Sequence, residues 1–245
     1  MKKAIRLDKL LAGAGYGSRK EIKKITRGGK VTVNGQTVTD SSCHVSPDAD
    51  RVTVNGTAVI YREFVYLMLN KPAGFVSATV DARDRTVLEF VPEEFRHYEL
   101  FLVGRLDKDT EGLLLLTNDG KLAHEVLAPK RHVPKTYYVK VDGQVHELHG
   151  QELARGVTLD DGYQTKPAGL NILAAGTVSE VELTIYEGRF HQVKRMFASL
   201  GMTVLYLKRV TIGGVALDPS LKPGQMRELT TSELQMLKMK HQPAR

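Results

Sequence analysis

The string Val-Thr-Val-Asn-Gly occurs twice, at 31–35 and at 52–56. Alternating β-branched residues fit a half-buried strand, and Asn-Gly takes positive φ at both central positions of a two-residue hairpin. The opening segment is therefore committed to antiparallel hairpins. The two copies start 21 residues apart and nothing else recurs at that spacing, so this is repeated hairpin chemistry and not a repeat architecture. Ahead of the first hairpin, Leu7, Leu10 and Leu11 recur at helical spacing, with Arg6 and Lys9 on the other side. Gly13, Gly15 and Gly17 break that helix. Ser18-Arg19-Lys20-Glu21 is a capping box that opens a second one, stopped after Arg27 by Gly28-Gly29. This helix carries Arg19, Lys20, Lys23, Lys24 and Arg27, leaves Ile22 and Ile25 for the core, and is followed by Lys30 at the hairpin's entry.

Charge is concentrated in the same place. Residues 1–60 hold 11 Lys and Arg against 5 Asp and Glu, whereas the remaining 185 residues hold 24 against 23. A basic helix followed by a basic strand suits the phosphates of a structured RNA, and a local excess of this kind points to a polyanion partner. Other classes drop out. A chain with 42% hydrophobic residues can bury a core, and no apolar run approaches the 18 residues of a membrane span. Arg6, Asp8 and Lys9 interrupt any signal-peptide apolar region, and the lone Cys43 permits neither an internal disulfide nor a cysteine-based zinc cluster. The expected location is cytoplasmic.

The stretch from Val45 to Arg62, with Pro47, Asp48 and Asp50, reads as a boundary, giving domains 1–60 and 61–245. Beyond it, strands are expected at Val65 to Leu69, Leu113 to Leu116, Thr136 to Val141, Val181 to Tyr186 and Thr203 to Val210. Helices are expected over Asp119 to Leu127, 146–155 and 191–200, and after the capping box Thr230-Thr231-Ser232-Glu233. Strands and helices mix without βαβ alternation. The expected class is α+β: a small basic N-terminal domain, then a larger one with a mainly antiparallel mixed sheet and flanking helices.

The densest chemistry lies between Gly104 and Gly120. Asp107, Asp109, Glu111 and Gly112 match the first half of a calcium loop, but its twelfth position is Asn118, and Leu113 to Leu116 is an apolar strand. Asp107 with Asp109 could form a magnesium site, or Asp107 could be a turn residue without chemistry. A further reading rests on Arg105 and Lys108, which flank Asp107 and would favour its anion, leaving it fit to act as nucleophile or general base.

Two resemblances bear on these alternatives. Arg6-Leu7-Asp8-Lys9-Leu10-Leu11, Ser18-Arg19-Lys20 and Gly29-Lys30-Val31-Thr32-Val33-Asn34-Gly35 resemble the RNA-binding module named after ribosomal small-subunit protein four. Gly104-Arg105-Leu106-Asp107, Thr110 and Gly112 to Gly120 resemble the catalytic motif of the RsuA family of ribosomal pseudouridine synthases. Met68 to Gly74, Lys135-Thr136-Tyr137, Gly188 to Phe197, Tyr206 to Gly214 and Leu221 to Gly224 fit that family in order and spacing. The resemblance implies isomerisation of uridine, in which the glycosidic N–C bond is replaced by a C–C bond. It makes Asp107 the essential acid, Tyr137 the group stacked on the flipped base, and Lys194 the cation facing Asp107. Arg105, Arg189, His191 and Gln192 would bind substrate; Arg6, Lys9, Arg19, Lys20, Lys23, Lys24, Arg27 and Lys30 would bind RNA.

The resemblance implies no cofactor, metal or nucleotide, because everything the isomerisation uses is in the uridine. The implied partner is ribosomal RNA within a small-subunit assembly intermediate, met by a monomer. Lys194, where large-subunit relatives carry arginine, favours the small-subunit type, since lysine and arginine hold a carboxylate differently. A large-subunit synthase and a non-enzymatic ribosome-assembly factor are the alternatives. An RNA methyltransferase would need a G-x-G-x-x-G turn, which the chain lacks.

Overall fold

Strand β1 (Ile5–Arg6) leads directly into helix α1 (Leu7–Gly13), whose Leu7, Leu10 and Leu11 are buried as their spacing requires. Helix α2 (Arg19–Arg27) starts at the expected cap: the Ser18 N–H donates to the Glu21 carboxylate at 2.7 Å, and the Glu21 N–H donates to Ser18 Oγ at 3.4 Å. Ile22 is fully buried, and so is Thr26, whose hydroxyl donates to the Ile22 carbonyl at 2.7 Å. Strands β2 (Val31–Val33), β3 (Gln36–Val38), β4 (His44–Val45), β5 (Val52–Val54) and β6 (Thr57–Ala58) follow. Both Asn-Gly pairs adopt positive φ, 52° and 81° at Asn34 and Gly35 and 51° and 82° at Asn55 and Gly56. β2 pairs with both β3 and β5, in a four-stranded antiparallel sheet ordered β3-β2-β5-β6. The stretch read as a boundary is therefore not one. Val45, Val52 and Val54 pack into the same core as Leu7, Leu10 and Ile22, because the second hairpin completes the first.

The computed structural model describes residues 4–239. They form two compact units, the first running to Val65 and including Glu93–Glu99, the second comprising Tyr66–Pro92 and the chain from Leu100 onward.

The second unit is built on β7 (Tyr66–Lys71), β8 (Phe101–Leu102), β9 (Glu111–Thr117), helix α3 (Gly120–Leu127), β10 (Lys135–Asp142), α4 (Glu147–Arg155), β11 (Gly169–Ala174), β12 (Val178–Ile185), α5 (Gln192–Ser199), β13 (Thr203–Ile212), β14 (Val215–Ala216), β15 (Met226–Glu228) and α6 (Thr231–Lys238). Its main sheet runs β11-β12-β10-β13-β9-β7-β15, with β14 beside β13 and β8 beside β9. Every described pairing in it is antiparallel except β13 with β9. That parallel contact matches Arg209 with Gly112. A Cβ on Gly112 would lie 2.2 Å from the Arg209 carbonyl oxygen, and its φ is 99°, so only glycine lets the two backbones meet here. β9 is central, which is why Leu113 to Leu116 are all buried and do not alternate. Helices α3 and α6 cover one side through Leu122, Ala123, Val126 and Leu237, against Met68, Leu113 and Leu115. Strands β11 and β15, at the two ends of this order, are ones that the sequence did not announce.

Candidate active site

The segment Gly104 to Thr110 leads into β9, and its backbone is tied down on several sides. Lys71, the last residue of β7, is fully buried, and its Nζ donates to the carbonyl oxygens of Thr110 (2.7 Å), Pro72 (3.0 Å), Asp107 (3.1 Å) and Lys108 (3.2 Å). Ser77 Oγ donates to the Leu106 carbonyl at 2.8 Å and accepts the Leu106 N–H at 3.0 Å. The Gly74 N–H donates to the Lys108 carbonyl at 2.8 Å. Asp107 thus projects from a pre-fixed loop, with its side chain 27% exposed. Burial pushes the Lys71 ammonium down to about 8, while Asp109, Glu111 and Asp107 pull it back up.

The basic side chains that meet Asp107 come from around α5. His191 Nε2 and Lys194 Nζ each lie 3.7 Å from Asp107 Oδ2. The sequence neighbours do not serve this purpose: Lys108 pairs with Asp84 at 2.5 Å, and Arg105 is exposed. Lys194 makes its short bonds to Asp109, 2.7 Å to each carboxylate oxygen, so it bridges the two aspartates instead of serving Asp107 alone. Burial would raise Asp109, but its hydrogen bonds and charge attraction with Lys194 together outweigh that, and its carboxyl lies below the usual range. The ammonium lies where the magnesium reading of the two carboxylates would place a metal.

The turn before α5 is equally specific. His191 occupies the left-handed region at φ 48° and stacks on Phe190 at 3.7 Å between ring centroids. Gln192 is buried and its amide is committed internally, Oε1 accepting the Arg189 N–H at 2.9 Å and Nε2 donating to Glu187 at 2.9 Å. Gln192 thus shapes the turn from within the wall of the cavity it was expected to serve. Arg189 lies over the Tyr163 ring, 3.2 Å from its centroid.

A cavity of about 590 Å³ collects these groups. Arg105, Asp107, Tyr137, Arg189, His191 and Gln192 all line it, and Lys194 reaches it through its contact with Asp107. Tyr137 is 8% exposed and stands on β10 opposite Arg209 of β13. The size fits a nucleoside, and the mixture of apolar walls with a few convergent polar groups is that of a small-ligand site. Three functional candidates escaped the sequence reading: Lys71, Lys135 and Arg209, all buried charges. A signal was present, because Lys135 is two residues from Tyr137 on one strand face, where alternation calls for an apolar residue.

In the first unit, Arg6, Arg19, Lys23 and Arg27 line a concavity of about 490 Å³ with Ser41 and Ser42. Arg19, Lys23 and Arg27 share one face of α2. Arg6 is partly neutralised by Asp8, at 2.7 Å. Lys9, Lys20, Lys24 and Lys30 are exposed but lie outside that concavity.

Comparison with known proteins follows the same two-unit division. The S4 domain model matches residues 5–50, and the RNA pseudouridylate synthase model matches 65–199. The chain is 52% identical to an uncharacterized RNA pseudouridine synthase of Bacillus subtilis, over 95% of this chain and 98% of that one. It is 41% identical to ribosomal small subunit pseudouridine synthase A of Escherichia coli, over 94% and 98%. Among solved structures, a pseudouridylate synthase superimposes with a TM-score of 0.67 at 40% identity, covering 95% of this chain and 99% of that one. Among the described residues no helix is long and apolar enough to cross a membrane.

Proposed function

The chain belongs to the RsuA-like RNA pseudouridine synthases with an N-terminal S4 domain, and from that premise we propose that it converts one uridine of 16S ribosomal RNA to pseudouridine. The activity is that of an isomerase acting on RNA. The single observation that carries the site assignment is the convergence of Asp107, Tyr137 and His191 on one nucleoside-sized cavity, with Lys194 beside Asp107. In this reading Asp107 either attacks C1′ of the ribose or takes a proton from C2′. In both routes the N1–C1′ bond breaks with its electron pair leaving on the base. The base then turns and C5 bonds to C1′, displacing the Asp107 carboxylate from C1′ in the first route or with the proton returned from Asp107 to C2′ in the second, and the C5 proton departs. Lys194 keeps positive charge beside Asp107, His191 contacts the same carboxylate, and Tyr137 packs on the extruded base, whose unstacking the S4 domain offsets by anchoring neighbouring RNA.

The small-subunit target draws support from relatives named for that subunit across nearly their whole length, and from lysine at position 194. We place the reaction in the cytoplasm, on an assembly intermediate, with the protein acting as a monomer. The test offers purified protein precursor small-subunit particles and large-subunit RNA and maps new pseudouridine. Modification of 16S rRNA alone is expected, and Asp107→Asn should abolish it while RNA affinity is retained. Modification confined to large-subunit RNA would overturn the target, and turnover by Asp107→Asn would overturn the role of Asp107.

A further inference from the structure

Two buried side-chain polar atoms lack a hydrogen-bond partner among the described residues, Thr110 Oγ1 and Arg209 Nη2. Both residues line the cavity that holds Asp107. Thr110 is 1% exposed and Arg209 3%. Leaving such atoms unpaired is costly, the more so on a guanidinium, so a pair of them at one site points to a ligand that satisfies them. Arg209 is held in place by its own Nε, which donates to the Leu113 carbonyl at 2.8 Å. It faces Tyr137 across the β10–β13 ladder, and Lys135, two residues before Tyr137, lies on the same sheet face. Lys135 donates to the Val133 carbonyl at 2.8 Å. Neither Lys135 nor Arg209 has a carboxylate within ion-pair distance among the described residues. Burial, then repulsion from Arg209 and Lys166, brings the Lys135 ammonium down to about 8. The cavity therefore holds two buried cations, and the carboxylates that also line it, Asp107 and Glu187, form no ion pair with either.

We propose that Arg209 Nη2, supported by Thr110 and Lys135, donates to a uracil carbonyl oxygen and stabilises the base as it leaves the sugar as an anion. The inference rests on the reading of the Asp107 cavity as the uridine site. When N1–C1′ breaks, the electron pair on N1 delocalises onto O2 and O4, and a donor fixed in a water-poor site gains strength as that charge develops. When C5 bonds to C1′ and the C5 proton is lost, the charge is withdrawn and the product is released from the same contact. The surrounding Ile185, Leu207 and Ile212 suit the faces of a planar base and not a phosphate.

The test compares glycosidic-bond cleavage in single turnover on uridine RNA and on the same RNA carrying 5-fluorouridine at the target. Fluorine at C5 stabilises the uracil anion by itself, so it should substitute in part for the missing donor. Arg209→Met is expected to lower the rate about a hundredfold on uridine RNA, as loss of an oxyanion donor does. KM for RNA should stay within about threefold, and the loss on 5-fluorouridine RNA should shrink to about tenfold, with Arg209→Lys in between. Equal losses on both substrates, a loss confined to KM, or no loss would overturn the proposal. Should Arg209→Met fail to melt cooperatively, Thr110→Val is read in the same comparison with the same criteria. Asp107→Asn run alongside separates the two readings, because its activity would sink the site assignment whatever Arg209 does.

Discussion

Lys71 shows how one side chain can position another. Its ammonium is fully buried and binds four backbone carbonyls around Asp107, so it fixes the loop without touching the cavity. The same burial gives it a measurable pH signature. Its folded value of about 8 lies below the unfolded 10.5, so between these the unfolded chain holds the proton more tightly. Stability should therefore rise as pH climbs from about 8 toward 10, and Lys135 contributes with the same sign. Above pH 10 the trend should reverse, because burial and the bond to Glu111 raise the Tyr206 phenol and the unfolded tyrosine ionises first. Urea midpoints across this range measure both limbs. Lys71→Met should flatten the rising limb and, by loosening the loop, lower kcat about tenfold or more. A rising limb unchanged by Lys71→Met would show that the lysine is not desolvated in the folded chain.

At the scale of elements, the C-terminal helix α6 depends on one carboxylate with two tasks. Glu233 accepts the Thr230 N–H at 2.7 Å as part of the capping box, and it takes both Arg227 nitrogens at 2.8 and 2.9 Å. Arg227 in turn donates from Nε to Asp218 at 2.6 Å, linking β15, the turn before it and α6. The hydrogen bonds from Arg227 hold the Glu233 carboxyl at about 2. A carboxyl depressed on folding stabilises above its unfolded value of 4.5, and that contribution is lost as pH falls through its folded value. Arg227→Met should therefore cost about 1–2 kcal/mol near neutrality, discounted for partial exposure, and should flatten the acid limb between about pH 4.5 and 2. Thermal unfolding over that range tests it, and an unaltered acid limb would assign the slope to other carboxylates.

Across the whole molecule, charge and chemistry are segregated by unit. The excess of positive charge is in the first 60 residues, and the cavity with Asp107 is in the second unit. The exposed face of α2 carries Arg19, Lys23 and Arg27 along one concavity. Replacing all three with alanine should weaken RNA binding and reduce the log–log salt slope by about 0.7–0.9 for each phosphate no longer neutralised, so by about 2–3 in total. The melting temperature should hardly change, because these side chains are exposed. Titration of RNA at several salt concentrations decides it, and a slope equal to wild type would place the RNA elsewhere.

Local chemistry was enough to specify much of this protein. Both hairpins, the capping boxes at Ser18 and Thr230, the strand around Leu115 and the helix after Asp119 follow from residue types at short range, and each forms where its pattern lies. The motif around Asp107 likewise pointed to the family, because its residues are contiguous. What tertiary structure decided are the relations between distant segments. Which basic side chains meet Asp107 was settled by the packing of α5, 84 and 87 residues away at His191 and Lys194, and not by Arg105 and Lys108 beside it. The fit of Val45 to Val54 into the first core, the backbone contact at Gly112 and the unpaired Nη2 of Arg209, opposite Tyr137 in the ladder, are of the same kind. Apart from the alternation that marks Lys135, a buried lysine or arginine carries no sign in the sequence that it is buried. Its environment is made by strands that pair only once the sheet has closed.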